Sequence, residues 1–357
     1  MTKVLVYAQD PGGAQNIAMV AKRLLEKGRA DMAIIVHPLA KAVFEEFRLP
    51  FQSIAEQGLS LPLNEKRAED FLASGSFTHV FCGTSNPRYD PTNSNIIEAA
   101  RKLGLPSFGF IEHWKGWDRF YDDGGKLAYV PDILGCIDSF SAKKLEQVSI
   151  PEHQLVVVGH PYLEWIYLQK QAGVFRSRNE SSNKIVLVSQ PLVNRNFESI
   201  FGVSTGSMSL ADGIGNMLSR LRKTSDFVAF YRPHPKEKTF AGLPEGIILD
   251  RQPRWIDVLK DADIIVGLDS MALIEAFFAG KWCISLKLPE LENVSDMNCP
   301  FQFSVTVRSL QGLKKTLSRA LAGDKGIFPQ LEDHKNLVEG STERCVRAFN
   351  EFIDANS

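Results

Sequence analysis

The stretch that decides the fold is Val4-Leu-Val-Tyr-Ala-Gln-Asp-Pro-Gly-Gly-Ala-Gln-Asn16. Its apolar start, Val4 to Ala8, predicts a buried strand, and the apolar residues that follow recur at helical spacing as far as Gly28. Strand, glycine-rich turn and helix together are typical of the opening of a doubly wound α/β domain. Gly12 and Gly13 would let a phosphate approach the backbone at the helix start. A tight turn without a ligand explains the same two glycines equally well.

Asp10, in this turn, is either a proton-transfer group or only the cap of the helix. The rest of the first half continues the alternation of strand and helix. Strand-like runs occur at 32–36, 78–82, 106–111, 132–136 and 154–158, and helix-like runs at 41–47, 95–103 and 139–147. Such alternation with short connections predicts a parallel sheet.

The second half repeats the pattern after a polar segment, 176–184. Its strand-like runs are 184–188, 227–231, 246–249, 263–266 and 282–286, and its helix-like runs are 210–221, 255–259, 271–279, 310–321 and 342–353. We therefore predict an α/β fold with two Rossmann-like doubly wound domains facing a central cleft. The predicted boundaries are 1–165 for the first domain, 166–183 for a linker, 184–340 for the second domain and 341–357 for a C-terminal helix.

Composition narrows the class of protein. The chain has 357 residues, too many for one ordinary core, with 44% hydrophobic and 23% charged residues. A net charge of −1 argues against non-specific nucleic-acid binding. No apolar run is long enough to span a membrane, and the five cysteines are scattered without metal-site spacing. We expect a cytoplasmic protein without structural zinc, and association with the inner face of a membrane stays open.

A proline-bracketed histidine follows one second-half strand, in Arg232-Pro-His-Pro-Lys-Glu. The prolines stop helix and central strand alike, so His234 is expected on a stiff loop at the carboxyl end of the strand. Arg232, His234 and Lys236 could together donate hydrogen bonds to a phosphate. The alternative is a rigid turn whose histidine only caps a backbone group.

A second candidate phosphate site is the helix start at Asp269-Ser-Met. The hydroxyl of Ser270 and the backbone N–H groups after it could hold a phosphate. Glu275, one turn later, could accept ribose hydroxyls, or it could lie on a solvated face. Ser189 and Gln190 follow another strand of the same half.

The segment Glu112-His-Trp-Lys-Gly-Trp-Asp-Arg-Phe-Tyr-Asp-Asp-Gly-Gly125 directly follows a strand and is rich in carboxylates and aromatic rings. Long loops at this position are usually functional. Aromatic rings suit sugar faces, and carboxylates suit sugar hydroxyls or proton abstraction. The alternative is an exposed loop with its tryptophans tucked into the surface.

The order of these motifs resembles the two-domain glycosyltransferases called GT-B. The pieces that carry the resemblance are Gly159-His-Pro, Ser189-Gln-Pro, Arg232-Pro-His-Pro and Asp269-Ser-Met-Ala-Leu-Ile-Glu-Ala-Phe-Phe-Ala-Gly-Lys. The chain is most similar to the bacterial sialyltransferase and Kdo-transferase groups, which use CMP-sugar donors. Their acidic Asp/Glu-Asp/Glu-Gly motif implies Asp123, in Tyr121-Asp-Asp-Gly-Gly, as the general base. If that match is a chance turn, Glu112, Asp118 or Asp10 becomes the base. The serine motif departs from the family pattern, with Asp-Ser in place of Ser-Ser.

The resemblance implies an inverting, metal-independent transfer of a nonulosonic or Kdo-type sugar from a CMP donor to a glycan, lipid or protein acceptor. His234 and Arg232 would stabilise the departing phosphate. Three alternatives stay open: a nucleotide-sugar epimerase or hydrolase of the UDP-GlcNAc 2-epimerase type, a CDP-polyol phosphotransferase, and a non-catalytic nucleotide-sugar sensor. The epimerases lead us to expect Asp-Ser-Gly-Gly where this chain has Asp269-Ser-Met-Ala.

We expect no cofactor and no metal. The predicted catalytic residues are Asp10, Glu112, Asp122, Asp123 and His234. The predicted donor-binding residues are Gly12, Gly13, Ser189, Gln190, Arg232, His234, Lys236, Asp269, Ser270, Met271 and Glu275.

Overall fold

The structure is a computed structural model. It describes residues 2–28, 30–175, 183–192, 198–199, 204–205, 208–234, 237, 243–268, 270–291 and 299–356. The chain forms two compact units, one of Met1–Trp165 with Asn336–Ser357 and the other of Ile166–Lys335.

The first unit is built on a parallel seven-stranded sheet with the order β3-β2-β1-β4-β5-β6-β7. Its strands are β1 (Lys3–Ala8), β2 (Asp31–Val36), β3 (Gln52–Ser53), β4 (His79–Gly83), β5 (Ser107–Phe110), β6 (Ile133–Cys136) and β7 (Leu155–Val157). Its helices are α1 (Pro11–Lys27), α2 (Lys41–Glu46), α3 (Glu65–Gly75), α4 (Thr92–Lys102), α5 (Ser139–Gln147) and α6 (Pro161–Gln171), which continues into the second unit. The strand order reverses between β1 and β4, and ligands of open α/β sheets bind at such a reversal.

Burial on both faces of this sheet explains the apolar run that opens the chain. Val4 to Ala8 are fully buried, as parallel strands covered by helices on both sides must be. The last helix, α11 (Ser341–Ala355), also belongs to this unit. Its Phe349 ring lies 4.9 Å from the Phe81 ring of β4 and 5.6 Å from the Phe108 ring of β5. The end of the chain therefore completes the first core.

The second unit repeats the same winding in a six-stranded parallel sheet with the order β14-β13-β8-β15-β16-β17. Its strands are β8 (Asn183–Val188), β13 (Phe227–Arg232), β14 (Ile247–Leu249), β15 (Ile264–Gly267), β16 (Trp282–Leu286) and β17 (Val305–Val307). In the sequence, two short antiparallel pairs of strands come between β8 and β13. They are β9 (Pro191–Leu192) with β10 (Glu198–Ser199), and β11 (Ser204–Thr205) with β12 (Met208–Ser209). The helices are α7 (Leu210–Leu221), α8 (Trp255–Asp261), α9 (Met271–Phe278) and α10 (Leu310–Leu321).

The apolar residues of α7 recur at helical spacing and form part of the core of the second unit, as the sequence pattern predicts. Leu210, Ile214, Leu218 and Leu221 recur every three or four residues along α7, and all four are buried against the sheet. Here the strand order reverses between β8 and β15, so the loops after these two strands meet at the second reversal point.

The predicted fold class, two Rossmann-like α/β domains with parallel sheets, is confirmed. Their arrangement around a cleft stays a prediction. The predicted linker, 166–183, begins inside α6 and ends where β8 starts, and its residues 176–182 lie outside the described part. Among the described residues, no helix is both long and apolar enough to cross a membrane.

Candidate functional site

Three loops converge at the reversal point of the first sheet. A Cβ placed on Gly13, in the first turn of α1, would lie 3.9 Å from Cα of Gly83 at the end of β4. It would also lie 4.0 Å from Oε2 of Glu112, which follows β5. A Cβ on Gly12 would lie 3.6 Å from the His113 ring. The Glu112 carboxylate and the His113 ring therefore lie directly against the helix start, at a distance where an added Cβ would make only ordinary van der Waals contact.

Arg119 holds the Glu112 carboxylate at this point. Its Nη1 donates to Glu112 Oε1 at 3.0 Å and Oε2 at 3.3 Å, and to the carbonyl oxygen of Thr84 at 2.8 Å. Both side chains are almost completely buried. The pair joins the loops after β4 and β5, and a buried ion pair with these further hydrogen bonds has a fixed geometry.

The backbone of the same segment is fixed from another side by His160, at the start of α6. The Nδ1 atom of His160 accepts the Leu163 N–H at 3.2 Å, so its Nε2–H donates to the carbonyl oxygen of Glu112, also at 3.2 Å. The Trp114 ring stacks on His160, and its Nε1–H donates to Asp138 at 2.7 Å. Glu112 is therefore held through both its carboxylate and its carbonyl.

Burial keeps the two histidines of this cluster neutral. Burial, with smaller contributions from the positive charges of Arg119 and Lys115, lowers the pKa of His113 to about 3. Burial also lowers the pKa of His160 to about 3, with a smaller effect from His113. Neither ring therefore carries a charge near neutral pH, and neither serves as a cationic phosphate ligand.

These depressed values predict that acid destabilises the fold. Below about pH 6.5 the unfolded chain binds a proton at each histidine that the folded protein does not bind until about pH 3. The free energy of unfolding should therefore fall as the pH is lowered from 7.5 to 5, by up to about 1.4 kcal/mol per pH unit for each histidine. Urea unfolding at several pH values measures this slope. His160→Gln should flatten it, and an unchanged slope in that variant would contradict the assignment.

Glu112 also changes the interpretation of the glycine-rich turn. A carboxylate is favoured near the positive end of a helix, and here it already lies beside Gly12 and Gly13. A phosphate at the same place would meet this negative charge at close range. Asp10 is the N-cap residue of α1, although its side chain makes no capping hydrogen bond. Phosphate binding by the two glycines stays a prediction, and the observed arrangement favours proton transfer here.

The other predicted carboxylates lie in a tight turn. Asp122 accepts the Lys126 N–H at 2.8 Å through Oδ1, and its backbone N–H donates to the Lys126 carbonyl. Asp123, the predicted base, is exposed at the tip of this turn, and so is Gly124. The structure thus brings Glu112, but not Asp123, to the reversal point of the sheet. The role of Asp123 stays a prediction.

In the second unit, hydrogen bonds within the fold occupy part of the predicted phosphate site. Arg232 Nη1 donates to Asp250 Oδ2 at 2.9 Å and also to the Gln252 carbonyl. The Ser189 hydroxyl donates to Glu237. These contacts hold the ends of β8, β13 and β14 in place and leave less of Arg232 and Ser189 for a ligand.

Two buried acceptors at the second reversal point have no hydrogen-bond partner among the described residues. They are Oγ of Ser270 and Oε1 of Gln190. Gln190 follows β8, and Ser270 caps α9 after β15, without a side-chain capping hydrogen bond. Buried polar atoms are nearly always paired, and the start of a helix favours anions, so the Ser270 hydroxyl is a candidate contact for a phosphate.

The remaining predicted residues are placed as follows. Met271 begins α9, Glu275 is buried on the same helix, and the His234 carbonyl accepts the Glu237 N–H at 2.9 Å. Lys236 and Asp269 lie outside the described residues. Within the described residues, no cluster of three or more His, Cys, Asp or Glu side chains could hold a metal ion.

The sequence matches no family model and no curated protein. Solved structures are similar over nearly the whole chain. Staphylococcus aureus MnaA, solved with UDP, has 14% identity and a TM-score of 0.67, over 99% of this chain and 97% of that one. UDP-GlcNAc 2-epimerase from Methanocaldococcus jannaschii has 15% identity and a TM-score of 0.65, over 98% and 100%. The Neisseria meningitidis UDP-GlcNAc 2-epimerase bound to UDP-GlcNAc has 12% identity and a TM-score of 0.67, over 98% and 100%.

These similarities show a GT-B-like fold and correct the family predicted from the motifs. The similar solved structures include several UDP-GlcNAc 2-epimerases and a glycotransferase of kitacinnamycin, the latter with a TM-score of 0.61. They contradict the predicted membership of the CMP-sugar sialyltransferase or Kdo-transferase groups. The predicted transfer of a nonulosonic acid from a CMP donor is therefore wrong, and the epimerase alternative is better supported. Histidine-proline loops and serine-capped helices recognise phosphate, which all these nucleotide-sugar donors contain. The motifs therefore could not distinguish the nucleobase or the sugar of the donor.

Proposed function

We propose that this protein is a nucleotide-sugar epimerase that inverts C2 of a UDP-linked N-acetylhexosamine. The observation that carries the proposal is the Glu112 carboxylate, fixed by Arg119 and His160 at the reversal point of the first sheet. Support for the substrate comes from the epimerases of the same fold, two of them solved with UDP or UDP-GlcNAc. An epimerase needs no acceptor, so the predicted glycan, lipid or protein acceptor is not part of this proposal.

The second unit is assigned the nucleotide. The α9 start offers backbone N–H groups and the Ser270 hydroxyl, which has no hydrogen-bond partner among the described residues, and both suit a diphosphate. Gln190, at the neighbouring strand end, offers a further polar group. No metal is required for this binding, because a helix start and neutral donors stabilise an anion by themselves.

The first unit is assigned the proton transfer. The C2–H bond of a nucleotide sugar has no adjacent carbonyl to accept its electron pair. When Glu112 takes the C2 proton, the pair therefore forms a C1=C2 bond and the C1–O bond to UDP breaks. Returning a proton to the other face of C2, while UDP adds back at C1, completes the inversion. If water adds across the C1=C2 bond in place of UDP, with its hydroxyl at C1 and a proton at C2, the same site hydrolyses its substrate.

The test is incubation with UDP-GlcNAc in D₂O, followed by proton NMR. The expected result is deuterium at C2 and the appearance of the C2 epimer, together with thermal stabilisation of the protein by UDP, since a ligand that binds only the folded state raises its stability. The absence of both exchange and stabilisation would overturn the proposal. Stabilisation by CMP instead of UDP would overturn the choice of nucleotide.

Ser270→Ala is expected to weaken UDP binding by about 10- to 100-fold, because a hydrogen bond to a charged group contributes about 1.5–3 kcal/mol. Isothermal titration calorimetry with UDP measures this change. Ser309→Ala is the matched control: Ser309 also caps a helix in the second unit, but its hydroxyl already accepts the Gly312 N–H. The control should keep the affinity of the native protein. Equal affinities in both variants would remove Ser270 from the site.

A further inference from the structure

Arg119 directs its hydrogen bonds to the loops that carry the candidate site. Beyond its bonds to Glu112 and Thr84, its Nε donates to the Gly116 carbonyl at 2.9 Å and its Nη2 to the Lys115 carbonyl at 3.3 Å. The Thr84 hydroxyl accepts from Nη1 at 3.1 Å and donates to the Phe110 carbonyl. A guanidinium has five donors in a rigid planar fork, and all three nitrogens of Arg119 donate to acceptors in these loops.

We propose that Arg119 is a positioning residue that sets the direction of the Glu112 carboxylate for the reaction proposed above. The inference rests on that proposed function. General-base catalysis requires the base within hydrogen-bond reach of the proton that it removes, and a misplacement of about 1 Å can cost on the order of 100-fold in rate. A rigid guanidinium bound to the ends of both β4 and β5 provides such a constraint. A lysine, with a single flexible ammonium, would pair with the carboxylate without orienting it.

Gly116 offers a way to move the guanidinium without removing its charge. Its φ is +72°, and a Cβ added there would lie 2.9 Å from Nη2 of Arg119, too close to stay without a shift. Gly125, in the same loop, has nearly the same φ, +75°, and a Cβ added there meets nothing within 4 Å. Alanine at the two positions therefore imposes similar backbone strain, but only Gly116→Ala displaces Arg119.

The experiment compares Gly116→Ala, Gly125→Ala and Arg119→Lys for C2 exchange of UDP-GlcNAc in D₂O. We expect kcat to fall about tenfold in Gly116→Ala and about 100-fold in Arg119→Lys, with KM and UDP affinity within about threefold. Gly125→Ala should stay within about twofold of the native kcat.

A merely structural role would lower the yield of folded protein and leave kcat per folded molecule unchanged. Equal kcat values in the two alanine variants would therefore overturn the inference, as would a native kcat in Arg119→Lys. If Arg119→Lys does not fold, the two alanine variants decide. A native protein that binds UDP without catalysing exchange would instead contradict the proposed function. Failure of the proposed function can therefore be distinguished from failure of the positioning role of Arg119.

Discussion

Replacing Glu112 with glutamine is expected to lower the rate of C2 exchange about 1,000-fold and to leave UDP affinity unchanged. Proton transfer by a positioned side chain contributes on the order of 100- to 10,000-fold. Glutamine keeps the shape of the side chain and an oxygen that can accept from Arg119, but it cannot take up the C2 proton. Exchange kinetics by NMR, together with calorimetry for UDP, measure the two effects separately.

The matched control is Asp123→Asn, which removes the carboxylate that the sequence motif marks as the base. Because Asp123 is exposed at the tip of a turn, this variant should exchange the C2 proton of UDP-GlcNAc at close to the native rate. A large loss in Asp123→Asn combined with a native rate in Glu112→Gln would reverse the assignment. Loss in both would show that each carboxylate takes part.

What the sequence predicted well depends on neighbours along the chain. The run from Val4 to Ala8 is apolar because both faces of its strand are covered, and the turn after it starts a helix at a proline. The N-cap position of Ser270 and the apolar face of α7 could also be predicted, because each depends on residues close together in the sequence. Each of these signals is carried by a few consecutive residues.

What the sequence did not reveal depends on contacts between distant residues. An arginine in a polar loop is usually exposed, and nothing in its neighbourhood marks Arg119 as the buried partner of Glu112. The pairing of Arg232 with Asp250 joins two strand ends eighteen residues apart. Without it, Arg232 was expected to contact a phosphate.

The C-terminal helix is a further case of a distant contact, and it leads to the second large expected effect. Gly159 lies between β7 and α6 with φ +90°, a conformation that favours glycine. The next residue, His160, donates its backbone N–H to the Ser341 hydroxyl at the start of α11, at 3.0 Å. The His160 ring in turn holds the carbonyl of Glu112. The packing around Gly159 therefore affects both the stability of the first core and the position of Glu112, the candidate base.

Gly159→Ala is expected to destabilise the protein by about 3 kcal/mol or more. Its Cβ would lie 2.7 Å from Cβ of Ser341 and 2.6 Å from Nη2 of Arg344, contacts that force a shift. Overpacking costs about 1–3 kcal/mol, and the left-handed backbone adds about 1–2 kcal/mol for any residue with a Cβ. Thermal unfolding followed by circular dichroism should show a fall in the Tm of the first unit of roughly 10 °C, at about 2–4 °C per kcal/mol for a unit of about 150–250 residues.

The control is Gly323→Ala, since Gly323 has a φ of +88° and an added Cβ there meets nothing within 4 Å. It imposes the backbone cost alone, about 1–2 kcal/mol, so its Tm should fall by only a few degrees. Equal shifts in the two variants would mean that the contact with Ser341 and Arg344 contributes nothing. If the contact contributes to stability, the folded Gly159→Ala protein should also exchange the C2 proton of UDP-GlcNAc more slowly than the Gly323→Ala protein. The reason is that displacing His160 displaces the backbone that carries Glu112.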